Sequence, residues 1–143
     1  MPAVPFNTSA IPPARRQFAQ MIVDAFADTG YGGLQQLAAL ANAIAESGLN
    51  PSARSTPPEE NVGLFQLNMH GGLGTGHTVA ELEDPAVNIK IVLEEAKRHL
   101  AFKNAASLED AVSSFVRDIE RPADAAAEIA RRLKIAEQLE MTG

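Results

Sequence analysis

Residues 41–53 read ANAIAESGLNPSA, and the way that run ends decides how the chain is understood. Alanines carry a helix as far as Glu46-Ser47, where Gly48 and then Asn50-Pro51 stop it. A helix C-terminus carries partial negative charge, so a carboxylate there costs up to about 1 kcal/mol, and lysine or arginine is the ordinary choice. Glu46 is either a small surface cost or a carboxyl whose reluctance to ionise is put to use. Asn42, Ala39 and Gln35 lie four, seven and eleven residues earlier, on the same side of the helix, while Leu37, Ala41 and Ile44 face roughly the other way. That spacing lets Glu46 open on a cleft floored by small side chains. If the glycine- and proline-rich stretch 48–77 folds over it, burial and dipole both raise the carboxyl's hold on its proton. Glycosidic bond cleavage requires such an acid, still protonated near neutral pH, to serve the departing sugar oxygen.

Helical patterning dominates the remainder. Phe18, Met21, Ile22, Ala25 and Phe26 form an apolar stripe that predicts a helix over 13–28, broken by TGYGG before a second helix from Leu34 to Ser47. VGLFQLN (62–68) reads as a short strand or a single turn, and MHGGLGTGH (69–77) as loop. Thr78 with Glu81 is a capping box, and Asp84-Pro85 starts a helix that buries Ile89, Val92, Leu93, Ala96 and Leu100, with Glu94 placed to pair with Arg98. Ser107 caps a helix carrying Leu108, Ala111, Val112, Phe115, Val116 and Ile119. Arg121-Pro122 marks a joint before a last helix ending near Leu139. The prediction is a mainly α domain over 13–143 behind a flexible proline-rich arm, residues 1–12, with a minimal β element or turn beside a cleft. Its long middle, 48–77, is of a length that compact domains usually reserve for function.

The 143 residues suit one hydrophobic core. A net charge of −6 speaks against nucleic acid as a partner, and against a protein that finds anionic cell surfaces by its own positive charge. No apolar run reaches the length of a membrane span, and the start lacks the basic-then-apolar layout of a secretory signal, so neither membrane insertion nor a signal peptide is expected. Without cysteine there is no disulfide framework and no thiolate chemistry. GGLGTGH (71–77) lacks the Lys-Ser/Thr ending and the strand–helix setting of a phosphate loop. His70, His77 and His99 have no metal-ligand spacing, and neither a metal nor a cofactor is expected.

AIAESGLNPSA, followed after a loop by VGLFQLN, resembles the lysozyme-like superfamily of peptidoglycan-cleaving enzymes, related to soluble lytic transglycosylases and goose-type lysozymes. Within it, GLFQLNMHGGLGTGHTVAELEDPAVNI and FVRDIERPAD resemble the phage tail lysozyme family, over roughly residues 35–133. The resemblance implies a lysozyme-like fold that cleaves the β-1,4 bond between N-acetylmuramic acid and N-acetylglucosamine. It further implies that a phage tail or tail-like particle brings the domain to the bacterial wall. By that resemblance Glu46 matches the catalytic acid, and Ser47 a residue that steadies neighbouring backbone. Gln66 matches the cleft glutamine whose amide bonds substrate or the catalytic carboxyl. Gly63 would let backbone approach a sugar, Phe65 would pack beneath it or in the core, and Asn68 is a further candidate for sugar contact.

Animal-type lysozymes carry an aspartate where this chain has Asn61, with Glu59 and Glu60 just upstream; Glu60 is the candidate second carboxylate, or else part of a solvated loop. Related transglycosylases use one glutamic acid, the sugar's own 6-hydroxyl attacking to leave an anhydro end, so muramidase and lytic transglycosylase both remain open. The Ala-Tyr-Asn triplet of the soluble transglycosylases is absent; SSFVRDIERP takes its place, with Phe115 as stand-in for the tyrosine or as core, and Glu120-Arg121 as pins of the joint. The alternative from another class is a non-catalytic component of the virion with this fold, binding glycan or a neighbouring tail protein, for which the first helix and the N-terminal arm would suit docking.

Overall fold

The computed structural model describes residues 1–141. Its seven α-helices are α1 (Arg16–Asp28), α2 (Gly33–Ser47), α3 (Val79–Glu83), α4 (Pro85–Ala96), α5 (Leu100–Lys103), α6 (Leu108–Ser114) and α7 (Ala125–Leu139). Two short strands, β1 (Asn61–Val62) and β2 (Leu67–Asn68), pair antiparallel with Val62 opposite Leu67. VGLFQLN is thus both expected things at once, a minimal strand pair and the turn that joins it. The architecture is mainly α and lysozyme-like, as the sequence predicts.

The organising element is α2. Residues 35–43 are all buried, because α7, α1 and α6 pack around it. The expected split into a core stripe and an open face does not hold for its first three turns, since a helix enclosed by others is apolar or hydrogen-bonded all round. Gln35 and Asn42 are buried on the face expected to floor a cleft. Gln35 donates from Nε2 to the carbonyls that end α5, at 3.1 Å from Phe102, Lys103 and Ala105. Rings connect the helices: Tyr31 lies 5.3 Å from Phe102, Phe102 5.3 Å from Phe115, and Phe115 6.0 Å from Phe65.

The caps form where the sequence puts them. Thr78 and Glu81 make the reciprocal capping box, Asp84 accepts from the Ala86 N–H at 2.9 Å, and Ser107 accepts from the Asp110 N–H at 3.0 Å. Other expectations need correction. The helix stops at Ala96 and His99 is extended, so Leu100 begins α5 with 67% of its surface exposed and Phe102 fills the core instead. Glu94 pairs with Lys97 at 3.0 Å, and Arg98 with Glu95 at 3.8 Å. The helix from Ser107 turns π-helical over Phe115–Glu120. Residues 1–12, expected as a flexible arm, lie along the body: Phe6 and Ile11 are buried, and the Asn7 N–H donates to the Leu139 carbonyl at 2.9 Å. Two apolar side chains in so short a segment gain more from the core than from solvent. The last two residues of the expected 13–143 domain lie outside the described residues.

Candidate active site

Gly48 ends α2 at φ +63, a left-handed turn open to glycine at no steric cost, and the chain leaves toward the hairpin. At this end Ser47 Oγ donates to the Leu64 carbonyl at 2.7 Å, tying the last turn of α2 to the backbone between the strands. Arginines from α7 answer the partial negative charge of the helix end. Arg131 donates to the Ala45 carbonyl at 3.2 Å, and Arg132 Nη2 donates to the Glu46 carboxylate. The cation expected near a helix C-terminus is supplied by another helix, which is how α2 accommodates a carboxylate there.

Arg132 is 2% exposed and bonded through all three nitrogens: Nε donates to Glu128 at 3.0 Å, Nη1 to Asn42 Oδ1 at 2.8 Å and Nη2 to Glu46, whose side chain is 20% exposed. Asn42 and Glu46, one turn apart, therefore share a face, and that face meets α7. Burial raises the Glu46 pKa above the ordinary glutamate value, against the opposing pull of Arg132. At Glu128 the balance runs the other way: burial pushes the carboxyl up, but the two arginines bring it below its usual value.

Glu46 lines a cleft of about 820 Å³. Its lining comprises Glu59, Asn61, Gln66, Leu67, Asn68 and the segment His70–Leu73 from the middle loop, Glu95 of α4 with Arg98 just past its end, and the joint Ile119–Ala123. The π-helical turn brings the joint here. Its extra residue per turn closes with the Arg121 N–H donating to the Val116 carbonyl at 2.7 Å and leaves Arg121 in the left-handed region at φ +53. π-turns and left-handed non-glycine residues concentrate at functional sites. Glu120 thus enters the same cleft. Its Oε1 is closed off from water with no hydrogen-bond partner, and burial first, then the charge of Glu46, raises its pKa well above the ordinary value.

The structure gathers some of the expected residues and separates others. Glu46, Gln66 and Asn68 line the cleft together. Gln66, itself at φ +50, donates its amide nitrogen to the carbonyls of Ala53 at 2.9 Å and Gly63 at 3.0 Å. Asn68 Oδ1 accepts from the His70 N–H at 2.6 Å, which shapes the bend in the loop. Gly63 serves packing within the protein: a Cβ there would sit 2.2 Å from the Leu82 carbonyl and 2.3 Å from Asn88 Nδ2. Phe65 and Phe115 are wholly buried, the core reading of each, and neither presents a face to a sugar. Glu60 is not among the cleft-lining residues. It pairs with His70 at 3.1 Å and Arg54 at 3.3 Å, and the His70 bond, then Arg54, holds its carboxyl below the usual value. The other histidines are likewise paired, His77 with Glu81 and His99 with Glu95.

Sequence reasoning missed Arg132 and Asn88, and gave Glu120 only a pinning role. Arg132 had a signal, since it falls in register with the buried Ala136 and Leu139 of α7. Asn88, fully buried, accepts from the Phe65 N–H at 3.0 Å and donates to the carbonyls of Val62 and Leu82 at 3.1 and 2.9 Å. It fixes the hairpin to α4, and nothing in its local sequence marks it.

A comparison with protein families matches the phage tail lysozyme family over residues 17–140, and the chain belongs to that family. Membership carries a lysozyme-like, peptidoglycan-degrading role and an association with phage. No curated protein and no solved structure matches the chain.

Proposed function

We propose that this member of the phage tail lysozyme family cleaves the β-1,4 bond between N-acetylmuramic acid and N-acetylglucosamine, with Glu46 as the general acid, as part of a tail or tail-like particle that breaches the cell wall. One observation carries the reading: Glu46 opens on the cleft from the half-buried C-terminal end of α2, where burial outweighs Arg132 and favours the protonated carboxyl. A glycan strand lying along the cleft brings a glycosidic oxygen to that acid. Glu46 gives it the proton as the C–O bond breaks, and the carboxylate left behind keeps its bond to Arg132. The cleft is polar enough to hold sugars: Asn61, Gln66, Asn68, Arg98 and Arg121 all border it. Gln66 acts by bracing the loop that forms the wall, since its amide nitrogen already holds the Ala53 and Gly63 carbonyls.

The incoming group is water in a muramidase and the 6-hydroxyl of the muramic acid in a lytic transglycosylase. Mass analysis of purified peptidoglycan digested by the protein separates them, as reducing ends against 1,6-anhydro ends. Soluble fragments of either kind are the expected result. Peptidoglycan bound but left intact would instead establish the non-catalytic virion component, with the cleft as a glycan-holding surface.

A further inference from the structure

Four carboxyls line the cleft, those of Glu46, Glu59, Glu95 and Glu120, in a chain with 18 acidic residues against 12 basic ones. The basic side chains lining it are His70, Arg98 and Arg121. His70 bonds Glu60 at 3.1 Å, Arg98 faces Glu95 at 3.8 Å, and Glu46 is taken up by Arg132. Arg121 is left over: it is exposed, and among the described residues its guanidinium has no hydrogen bond and no ion pair. Acids are in surplus, yet none claims it. Its backbone is set apart as well. Arg121 lies in the left-handed region at φ +53, where glycine or asparagine is the ordinary occupant, and its N–H is fixed to the Val116 carbonyl at 2.7 Å. Pro122 follows and stiffens the joint. A long cationic side chain in such a strained position persists where function retains it.

We propose that Arg121 is a specificity residue of the cleft: its guanidinium holds a carboxylate of the glycan strand, and so selects strands that carry muramic acid over neutral strands of N-acetylglucosamine alone. This rests on the cleft binding peptidoglycan. The two sugars of the strand differ at one place, the 3-O-lactyl arm of N-acetylmuramic acid. That arm ends in a carboxylate or, where a stem peptide is joined to it, carries the free carboxylates of the peptide. Either source presents the same planar anion, which a guanidinium binds through two parallel N–H donors. Asn61 and Asn68 also border the cleft and can bond hydroxyls or amides of either sugar, but they have no charge with which to tell the two apart. With no internal partner to give up, Arg121 meets the anion without breaking a pair. A neutral strand lying over it would strip its water and offer no anion in return.

The test is calorimetric affinity in a Glu46→Gln background, which keeps the strands intact, for three probes. They are a peptidoglycan strand with its stem peptides, the same strand stripped to free lactyl carboxylates, and a chitin oligomer of equal length as the neutral strand. Arg121→Gln is expected to weaken binding of a carboxylate-bearing strand about tenfold relative to the chitin oligomer, and Arg121→Lys to restore part of the difference. A loss confined to the stripped strand identifies the lactyl carboxylate, and one confined to the stem-bearing strand identifies the peptide. An equal loss on all three probes, or none on any, overturns the proposal. Were Arg121→Gln unable to fold, Arg121→Gly, which suits the left-handed turn, takes its place in the same comparison. Cutting by the otherwise wild-type protein is read separately. Strands left whole but bound with Arg121-dependent affinity would remove the cleavage and keep this inference, whereas strands cut with no preference lost in Arg121→Gln would keep the cleavage and remove it.

Discussion

Glu46→Gln is expected to solubilise peptidoglycan about 10²- to 10⁴-fold more slowly than wild type, the range that a positioned general acid contributes. Glutamine keeps the shape and can still accept a hydrogen bond from Arg132 Nη2, so the α2–α7 contact should survive. What disappears is the transferable proton. The loss should appear in kcat with little change in KM, because the group acts on the breaking bond more than on the bound strand. Thermal unfolding of the same variant is the control, and a melting temperature close to wild type attributes the loss to chemistry. A variant that still works at the wild-type rate would move the acid elsewhere in the cleft, to Glu120 first.

Arg132→Met is expected to lower stability by about 3–5 kcal/mol at neutral pH, measured by urea unfolding. That is the usual cost of removing one partner of a buried ion pair. Methionine fills similar space but leaves Glu46 and Asn42 without their Arg132 donor and Glu128 with Arg131 alone. The pH dependence has a definite sign. Without Arg132 the remaining carboxyls take up protons more readily when folded than when unfolded. The folded state then binds more protons, so the deficit grows as pH rises and shrinks as pH falls toward the ordinary carboxylate range. Arg132→Lys should recover only part of the loss, since one ammonium cannot reproduce the fixed geometry of Nε, Nη1 and Nη2. A deficit below about 1 kcal/mol at neutral pH would mean that the Arg132 bonds add nothing net to the α2–α7 contact.

What the sequence disclosed and what it withheld divide by distance along the chain. Capping at Thr78, Asp84 and Ser107 was legible because an N-cap and its partner lie within one turn. The position of Glu46 at a helix end was legible for the same reason, from Gly48 and Asn50-Pro51. Arg132 reaches Glu46 across 86 positions, and no local pattern reports a pairing of that span. Its register with the apolar face of α7 was the available sign. The π-helical turn that delivers Glu120 escaped because one extra residue barely disturbs the spacing of Phe115, Val116 and Ile119. Phe65, Gly63 and Gln66 were recognised as one segment of a cleft wall, and the segment is there. Which of them face the cleft was set by Asn88, Leu82 and Ala53, residues with which they share no motif.

The glycine-rich loop shows the same division. Gly72 and Gly74 lie tight against Asn68, where a Cβ would come within 2.7 Å of the Asn68 Cβ and 2.9 Å of its carbonyl oxygen respectively. These glycines let the loop fold onto β2, and the wall so formed is a defined surface. Glu46 and the Glu120 joint line the same cleft.

The most direct measurement is the titration midpoint of the Glu46 side-chain carboxyl, followed by ¹³C NMR in the folded, substrate-free protein. The expected midpoint lies clearly above that of a glutamate in an unfolded peptide. A midpoint at or below the unfolded value would mean that Arg132 outweighs burial and keeps the group ionised, and Glu46 would then have no proton to give.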